Sequence, residues 1–204
     1  MGGVGSFVTE ALARSGVGDI SIVDSDKVDV SNINRQLIAD DTTIGRFKTD
    51  VMKERLFNIN PDVKVTAYNT FVCKENIDQF DFLNYNYVVD AIDTVTSKLL
   101  IIEKAYKNKV NIISSMGTAN KMDPLMLRVD DIYKTHECPL AKVMRRELKK
   151  RFIKHLKVVY SIEKPIYKAR NYDDKGKKIN ASISFVPSVA GLIIGGQVVK
   201  DILK

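Results

Sequence analysis

A glycine-rich segment, and an acidic residue spaced behind it, are the first features of this sequence that could bind a ligand. Gly2, Gly3 and Gly5 stand in the run Gly-Gly-Val-Gly-Ser, where a helix is predicted to begin. Glycines let backbone N–H groups approach a pyrophosphate, and a helix N-terminus adds partial positive charge. Asp24 ends the next predicted strand, where a carboxylate can accept hydrogen bonds from ribose hydroxyls. The pattern indicates a nucleotide site; a turn that only reverses the chain, and a capping role for Asp24, are the alternatives.

Two cations and a second carboxylate favour a triphosphate over a dinucleotide. Arg35 lies in a polar loop that also holds Asn32, and Lys48 follows in the run Gly-Arg-Phe-Lys. Two cations beside a bound nucleotide suit a triphosphate. Asp93 follows a predicted strand, at the edge of a sheet where a carboxylate can hold Mg²⁺ against phosphates. Each residue alone could be an ordinary surface residue, and the glycine loop with Asp24 alone fits an NAD-dependent dehydrogenase equally well.

Alternating strands and helices must position these residues. We predict helices over 2–14, 46–58, 74–83 and 95–108, and strands over 19–24, 63–68, 87–92 and 110–115. This alternation is typical of a doubly wound, mainly parallel α/β sheet of the Rossmann-like type. We predict that residues 1–117 form the nucleotide-binding part of a single domain and that residues 118–204 form an α+β extension.

The extension differs from the first part in its predicted elements. We expect strands over 125–129 and 156–161, a basic helix over 138–152, a mobile polar loop over 163–180 and a packed apolar helix over 187–203. A glycine-rich loop of this type normally follows a strand, yet here it begins at the second residue. We therefore expect the sheet to lack its first strand, because the chain starts late or its natural start was truncated.

Composition narrows the class of protein. The 204 residues are 45% hydrophobic and 28% charged, as in globular proteins. We see neither a secretory signal nor a convincing membrane span. Two cysteines are too few for a disulfide framework or a four-thiolate zinc site, so we expect a cytoplasmic protein.

The net charge of +7 is concentrated in residues 142–157, where eight Lys/Arg accompany one Glu. Such a local field suits a polyanionic partner. The helix predicted there carries an apolar stripe formed by Leu140, Met144, Leu148 and Phe152. Four cations off this stripe are candidate contacts to an RNA backbone: Arg145, Arg146, Lys149 and Lys150. The alternative for such a charge run is a merely solvated helix face.

The cysteines and histidines add little chemistry of their own. Cys138 precedes a proline among nearby cations and is a candidate nucleophile, although a structural role is the alternative. Cys73 follows a strand and is interpreted as structural. His136 and His155 show no spacing for a metal site, and His155 within the basic run is interpreted as an added cation donor.

The runs GGVGS, DSDKVDVSNINRQ, IGRFK and DAIDT resemble, in order and spacing, the ATP-binding signature of the ubiquitin-activating and ThiF-like adenylyltransferases. The resemblance covers roughly residues 1–115. It implies that the glycine loop lines the phosphates of ATP and that Asp24 binds the ribose. It further implies that Asn32, Arg35 and Lys48 contact the phosphates, the two cations supporting departure of pyrophosphate. Asp93 would hold Mg²⁺.

The second half resembles one branch of that superfamily, the tRNA threonylcarbamoyladenosine dehydratases. The runs that carry the resemblance are MG at 116–117, KMDP at 121–124, CPLAKVMRREL at 138–148 and SFVPSVAG at 184–191. Members of that branch use ATP to activate a carboxylate on a tRNA adenosine, which then cyclises with loss of water, and they form homodimers. Two alternatives stay open: an adenylyltransferase acting on a ubiquitin-like or sulfur-carrier protein, and a non-catalytic nucleotide-binding module. The CxxC pairs typical of sulfur-carrier-activating members are absent from this sequence.

Overall fold

The computed structural model describes residues 1–166 and 181–204. The helices in these ranges are α1 (Gly5–Arg14), α2 (Lys48–Ile59), α3 (Val95–Lys107), α4 (Pro139–Lys150) and α5 (Phe185–Ile202). The strands are β1 (Asp19–Val23), β2 (Lys64–Tyr68), β3 (Tyr87–Asp90), β4 (Asn111–Ser115), β5 (Leu127–Asp131) and β6 (Lys157–Ser161). The order of elements follows the sequence prediction closely, because hydrophobic periodicity and turn residues are local signals.

One predicted helix is wrong. Residues 74–83 form two short 3₁₀ turns, Ile77–Gln79 and Phe82–Asn84, instead of an α-helix. The Asn76 side chain accepts a hydrogen bond from the Cys73 backbone, and the Asp81 side chain accepts one from the Leu83 backbone. Asn and Asp side chains that bond to the nearby backbone compete with helical hydrogen bonds, which explains the difference.

The predicted loop over 163–180 is described only in its first four residues. Ile166 donates its backbone N–H to the Asn120 carbonyl at 2.8 Å, and the Glu163 carboxylate accepts from the backbone of Met122 and Asp123 at 3.0 Å. These first residues are therefore anchored to the segment before β5. Residues 167–180 of that prediction lie outside the described residues.

The strands form two sheets. β1 pairs with β2 in parallel, and the second sheet has the order β3-β4-β6-β5, in which only the edge strand β5 runs antiparallel. This confirms the predicted mainly parallel α/β class. β6 belongs to the predicted extension yet pairs with β4 of the first part, so contacts cross the predicted division at residue 117, and that division stays a prediction.

Helices cover both faces of the four-stranded sheet, as expected for a doubly wound fold. Ile113 and Val159 face α1 and α5 on one side, where they share a core with Ile194. The neighbouring residue Val158 faces the other side, where it packs with Leu148 of α4. This alternation along β6 buries the strand on both faces.

No strand among the described residues lies between β1 and β3. One cavity, of about 1430 Å³, is lined by residues of both strands, including Ile20 and Ile22 of β1 and Val88 of β3. Val23 of β1 and Val88 of β3 also pack against the same hydrophobic cluster. The described strands therefore form two separate sheets, and β1 of one sheet and β3 of the other line the same cavity.

The α5 helix packs tightly on α1. A Cβ added to Gly191 would lie 2.5 Å from the Val4 carbonyl oxygen, and one added to Gly195 would lie 2.7 Å from the Ala11 Cβ. Among the described helices, α5 alone is long and apolar enough to cross a membrane, a property that core helices of soluble proteins share. Its contacts with α1 agree with the predicted packing helix, which brings the start of α5 to the glycine loop.

Candidate nucleotide-binding site

The residues predicted from the sequence to bind a nucleotide meet around the cavity between the two sheets. All eight line it: Gly2, Gly3, Gly5, Asp24, Asn32, Arg35, Lys48 and Asp93. They come from loops that follow β1 and β3 and from the starts of α1 and α2. The carboxyl ends of parallel strands are where open α/β sheets bind ligands, so the cavity lies where the fold predicts a site.

The glycine loop forms the start of α1. Ser6 donates both its backbone N–H and its hydroxyl to the Gly2 carbonyl, at 3.1 and 2.8 Å. A Cβ added to Gly3 would lie 3.3 Å from the Pro187 Cβ and 3.4 Å from the Arg35 carbonyl oxygen. A side chain at Gly3 would therefore press against two neighbouring segments, whereas glycine lets them approach the loop closely.

A short capped turn positions Arg35. Asp29 begins a 3₁₀ turn with a capping box, in which its carboxylate accepts the Ser31 N–H and its own N–H donates to the Asn32 side chain. Arg35 follows this turn, and its Nη1 donates to the Ser31 carbonyl at 2.6 Å and to Asn34 Oδ1 at 2.9 Å. Asn34 in turn donates to the Ser182 carbonyl at 2.9 Å, so the turn is tied to the segment before α5.

Lys48 is buried at the first residue of α2. Its Nζ donates to Asp26 Oδ2 at 2.8 Å, and its backbone N–H donates to the Asp26 carbonyl at 3.0 Å. The hydrogen bond from Lys48 holds the pKa of Asp26 below its usual range. Asp24 is also engaged, because its carboxylate accepts from the Met1 amino group and from the Asp26 N–H. Hydrogen bonds therefore hold the Lys48 ammonium group and the Asp24 carboxylate in defined positions.

Asp93 lies in the loop between β3 and α3. The side chain is exposed, lines the cavity and accepts a hydrogen bond from the Thr94 hydroxyl at 3.4 Å. Among residues 1–166 and 181–204, no group of three or more His, Cys, Asp or Glu side chains could hold a metal ion by itself. Mg²⁺ is usually held by one or two carboxylates together with substrate phosphates, so a single accessible carboxylate fits that ion.

Two buried residues of this region were missed by the sequence reasoning. Gln36 lines the cavity beside Gly2, and its side-chain oxygen is buried with no hydrogen-bond partner in the described part of the chain. Lys98 is fully buried beneath the Asp93 loop. Gln36 directly follows Arg35 in the sequence, and this position could have identified it as a site residue. No local sequence feature marks Lys98 as buried.

Cys138 lies at the N-terminal end of α4 and lines the same cavity. It is 4% exposed and packs in the core with Met116. A Cβ added to Gly117 would lie 3.8 Å from the Cys138 sulfur. These contacts are those of a core residue, and the nucleophilic role stays a prediction.

The basic helix differs from its prediction at its C-terminal end. α4 ends at Lys150, and Phe152 is 84% exposed instead of completing the apolar stripe of Leu140, Met144 and Leu148. The reason is a backbone turn at Phe152, where φ is 58°. The stripe therefore ends one turn earlier than predicted.

The four predicted RNA contacts do not all face solvent. Arg145 is partly buried and donates to the Thr135 carbonyl at 2.8 Å, so it does not face outward as predicted. Arg146 and Lys150 are exposed and pair with Glu147. Lys149 is exposed and makes no ion pair in the described part of the chain.

A parallel α/β sheet with a glycine loop, two cations and an exposed carboxylate around one cavity defines a nucleotide-binding protein of the Rossmann-like class. Comparison with known families agrees with this class. The ThiF family model matches residues 1–204, and the chain belongs to that family.

Two relatives are similar over much of the chain. The tRNA threonylcarbamoyladenosine dehydratase of Bacillus subtilis (strain 168) is 47% identical over 215 residues, covering 100% of this chain and 85% of that protein. The dehydratase of the same name from Escherichia coli (strain K12) is 41% identical over 152 residues, covering 74% of this chain and 57% of that protein.

Crystal structures of the E. coli protein, TcdA, have the same fold. The complex with AMP matches with a TM-score of 0.89 and 34% identity, covering 99% of this chain and 82% of that chain. The complex with ATP matches with a TM-score of 0.90 and 33% identity, with the same coverage.

Proposed function

We propose that this chain uses ATP to adenylylate the carboxylate of the threonylcarbamoyl group on a tRNA adenosine, and that the activated group then cyclises with net loss of water. The observation that carries the proposal is the meeting of eight motif residues around one cavity at the carboxyl ends of parallel strands. The names of the Bacillus and E. coli relatives support the substrate, and the ATP and AMP complexes of the E. coli protein support the nucleotide.

The site residues divide the binding of ATP among them. We assign the phosphates to the N–H groups at the start of α1 and the ribose hydroxyls to the Asp24 carboxylate. Asn32, Arg35 and Lys48 contact the phosphates. Arg35 is held by a capped turn and Lys48 by Asp26, so little reorganisation is needed when the nucleotide binds.

In the first step an oxygen of the substrate carboxylate attacks the α-phosphorus, and the bond to the β-phosphate oxygen breaks. Pyrophosphate leaves with its electron pair, stabilised by Arg35 and Lys48. The product is an acyl adenylate, in which AMP is a good leaving group. An internal nucleophile of the threonylcarbamoyl group then attacks the acyl carbon and expels AMP. The carboxylate oxygen that the substrate loses stays on AMP. The cyclised product therefore lacks the elements of water, although no water molecule is released.

Mg²⁺ is part of the proposal, and Asp93 is the residue that would hold it. When bound, the ion neutralises charge on the phosphates. The exposed carboxylate of Asp93 agrees with an ion that enters together with ATP.

The tRNA is proposed to lie along α4, whose N-terminal residues line the cavity and whose exposed cations follow toward its C-terminus. A homodimer is also proposed, because Leu192 and Ile202 on α5 are each about half exposed and Leu203 is 80% exposed. A cytoplasmic location and a carrier or sulfur-transfer partner stay predictions from the sequence.

The test is a reaction of the chain with MgATP and tRNA isolated from cells that lack this gene. Mass spectrometry of the digested nucleosides should show threonylcarbamoyladenosine converted to a product lighter by one water. The conversion should require ATP and should be lost in Asp93→Asn. An unchanged nucleoside together with intact ATP binding would reject the proposal and would favour a carrier protein as the adenylylated substrate.

A further inference from the structure

The end of α4 holds an aromatic side chain in a position that costs stability. Arg151, Phe152 and Ile153 close the helix with a Schellman motif: Phe152 N–H donates to the Lys149 carbonyl at 3.2 Å, and Ile153 N–H donates to the Leu148 carbonyl at 3.1 Å. Phe152 occupies the left-handed position of this motif, with φ of 58°, where glycine is usual. A bulky residue there is a conformational outlier.

The packing of this turn does not explain the phenylalanine. Ile153 is 3% exposed and packs in the core with Leu148, so it makes the hydrophobic contact that accompanies the motif. Phe152 points away from that core and is 84% exposed. Strained residues that contribute nothing to the folded core are found preferentially at functional sites.

Cations flank Phe152 in the chain, and His155 follows it by three residues. Arg151 joins the end of α4 to α3 through Glu103 at 2.7 Å. At this shared end of the two helices, Tyr106 is 39% exposed and its ring lies 5.7 Å from the ring of the exposed His155. Lys149 and Lys154 are exposed and make no ion pair in the described part of the chain. We call Tyr106, Phe152 and His155 the aromatic patch.

We propose that the aromatic patch stacks on an unpaired base of the RNA substrate, with Phe152 as the principal platform and Lys149 and Lys154 as phosphate contacts. This inference rests on the proposed function and specifies which part of the RNA is recognised. Aromatic rings between cations are the combination by which proteins bind single-stranded nucleotides.

The position of the patch agrees with a substrate whose target base enters the cavity. Cys138, Pro139 and Leu140 at the start of α4 line the cavity, and the patch follows the other end of the helix. A helix of 12 residues is about 18 Å long. That length corresponds to about five nucleotides of a stacked strand. One RNA loop can therefore place one base in the cavity and another on Phe152.

Contact with a second copy of the chain is the main alternative occupant, and charge disfavours it. A two-fold interface through this patch would bring Lys149 and Lys154 of both copies together. RNA instead supplies phosphates for the lysines and bases for the rings.

The decisive variant is Phe152→Gly, because glycine relieves the backbone strain. We expect a melting temperature equal to or above that of the wild type, since glycine adopts this conformation without a steric penalty. We expect affinity for a tRNA-derived stem-loop with an unpaired loop to fall about tenfold. Affinity for a blunt duplex made from the same stem should not change. Phe152→Trp should retain stem-loop binding.

Two further variants separate stacking from charge. The double substitution Lys149→Gln/Lys154→Gln should lower the affinity for both the stem-loop and the duplex. It should also reduce the salt dependence of binding by about two phosphate contacts. Phe57→Ala removes another exposed phenylalanine, on α2, and should leave both affinities unchanged.

Three results would overturn the inference. The first is that Phe152→Gly binds the stem-loop with the same affinity as the wild type. The second is that Phe152→Gly loses affinity for the stem-loop and for the duplex to the same extent. The third is a change in oligomeric state of Phe152→Gly in sedimentation experiments, which would assign the patch to contact between copies. These results leave the nucleoside conversion by the wild type intact, whereas a wild type that binds neither RNA would overturn the inference and the proposed tRNA substrate together.

Discussion

Lys98 and Asp90 form an ion pair beneath the candidate site, with 2.9 Å between Lys98 Nζ and Asp90 Oδ2 and neither side chain exposed. The same ammonium group donates to the carbonyls of Ile92 and Ser115, at 3.0 and 2.8 Å. It therefore joins the end of β3, the loop that carries Asp93 and the end of β4. A buried charge with this many partners is satisfied only in one arrangement of the three segments.

Replacing Lys98 by Met should destabilise the protein strongly. The substitution leaves Asp90 buried without its cationic partner, which costs about 3–5 kcal/mol for pairs of this kind. Chemical denaturation measures the free energy of unfolding. Lys64→Met is the matched control, because Lys64 pairs with Asp19 at 3.1 Å on the exposed surface, where an ion pair contributes little. A similar loss of unfolding free energy in both variants would show that Lys98 does not hold the three segments together.

Replacing Arg35 by Ala should abolish adenylation and leave the fold intact. The side chain is only partly buried and, among residues 1–166 and 181–204, bonds only to its own turn, so its removal exposes no core. Loss of a preorganised group that stabilises transition-state charge typically lowers kcat by about 10²–10³. The measurement is ATP-dependent turnover together with circular dichroism. Arg14→Ala, which removes an exposed arginine outside the cavity, should turn over at the wild-type rate. Wild-type turnover in Arg35→Ala would refute the site.

Two glycines of α5 should respond oppositely to alanine. A Cβ at Gly191 would lie 2.5 Å from the Val4 carbonyl oxygen and 2.7 Å from the Phe7 Cβ, so Gly191→Ala must push α5 away from α1. We expect a loss of about 1–3 kcal/mol, the usual cost of overpacking, and weaker ATP binding because α1 begins at the glycine loop. An added Cβ at Gly196 would meet no atom of another described segment within 4 Å, and Gly196→Ala should stabilise the helix by up to about 1 kcal/mol. An equal fall in melting temperature for Gly191→Ala and Gly196→Ala would contradict the close packing of α5 on α1 at Gly191.

The stability that Asp201 contributes should depend on acid pH. Burial raises the pKa of Asp201, but hydrogen bonds from Lys157, Tyr87 and Gln197 outweigh it and lower the pKa to about 2. Because the folded-state pKa lies below the unfolded value of about 3.9, the contribution is complete above about pH 4 and is lost as the pH falls toward 2. The Tyr87 hydroxyl donates to Asp201 Oδ2 at 2.8 Å, which links α5 to β3.

Denaturation of wild type and Asp201→Asn as a function of pH measures this contribution. The difference between the two proteins should be constant near neutrality and should shrink below about pH 4. A difference that does not change with pH would assign the loss to packing instead of charge.

A strand added before Met1 should stabilise the protein, because β1 and β3 present facing edges to one cavity. A fused segment of about five β-branched residues matches the usual strand length. Joining the Met1 amino group into a peptide bond also removes its positive charge. Burial disfavours that charge and lowers the pKa of the amino group. We expect a higher melting temperature and tighter ATP binding than with a Gly-Ser segment of equal length. Equal values would show that the cavity does not accept a strand.

Some of these features follow from local sequence. The helix start at the glycine loop and the strands before Asp24 and Asp93 each use residues within a few positions of one another. Periodicity and turn chemistry therefore predicted these elements, whereas the segment before Arg35 was expected only as a polar loop. The run at 74–83 shows the limit of that reasoning, since side-chain hydrogen bonds of Asn76 and Asp81 replace the helix that its pattern favoured.

By itself the sequence determined the class of fold and predicted a set of nucleotide-binding residues that the structure brings around one cavity, because both depend on short-range patterns. Only the tertiary structure decided that Lys98 joins three segments and that the Gln36 side-chain oxygen is buried beside the glycine loop. Each of these depends on which distant segments pack around a side chain. Burial and partnership arise from long-range contacts, and a one-dimensional pattern does not specify them.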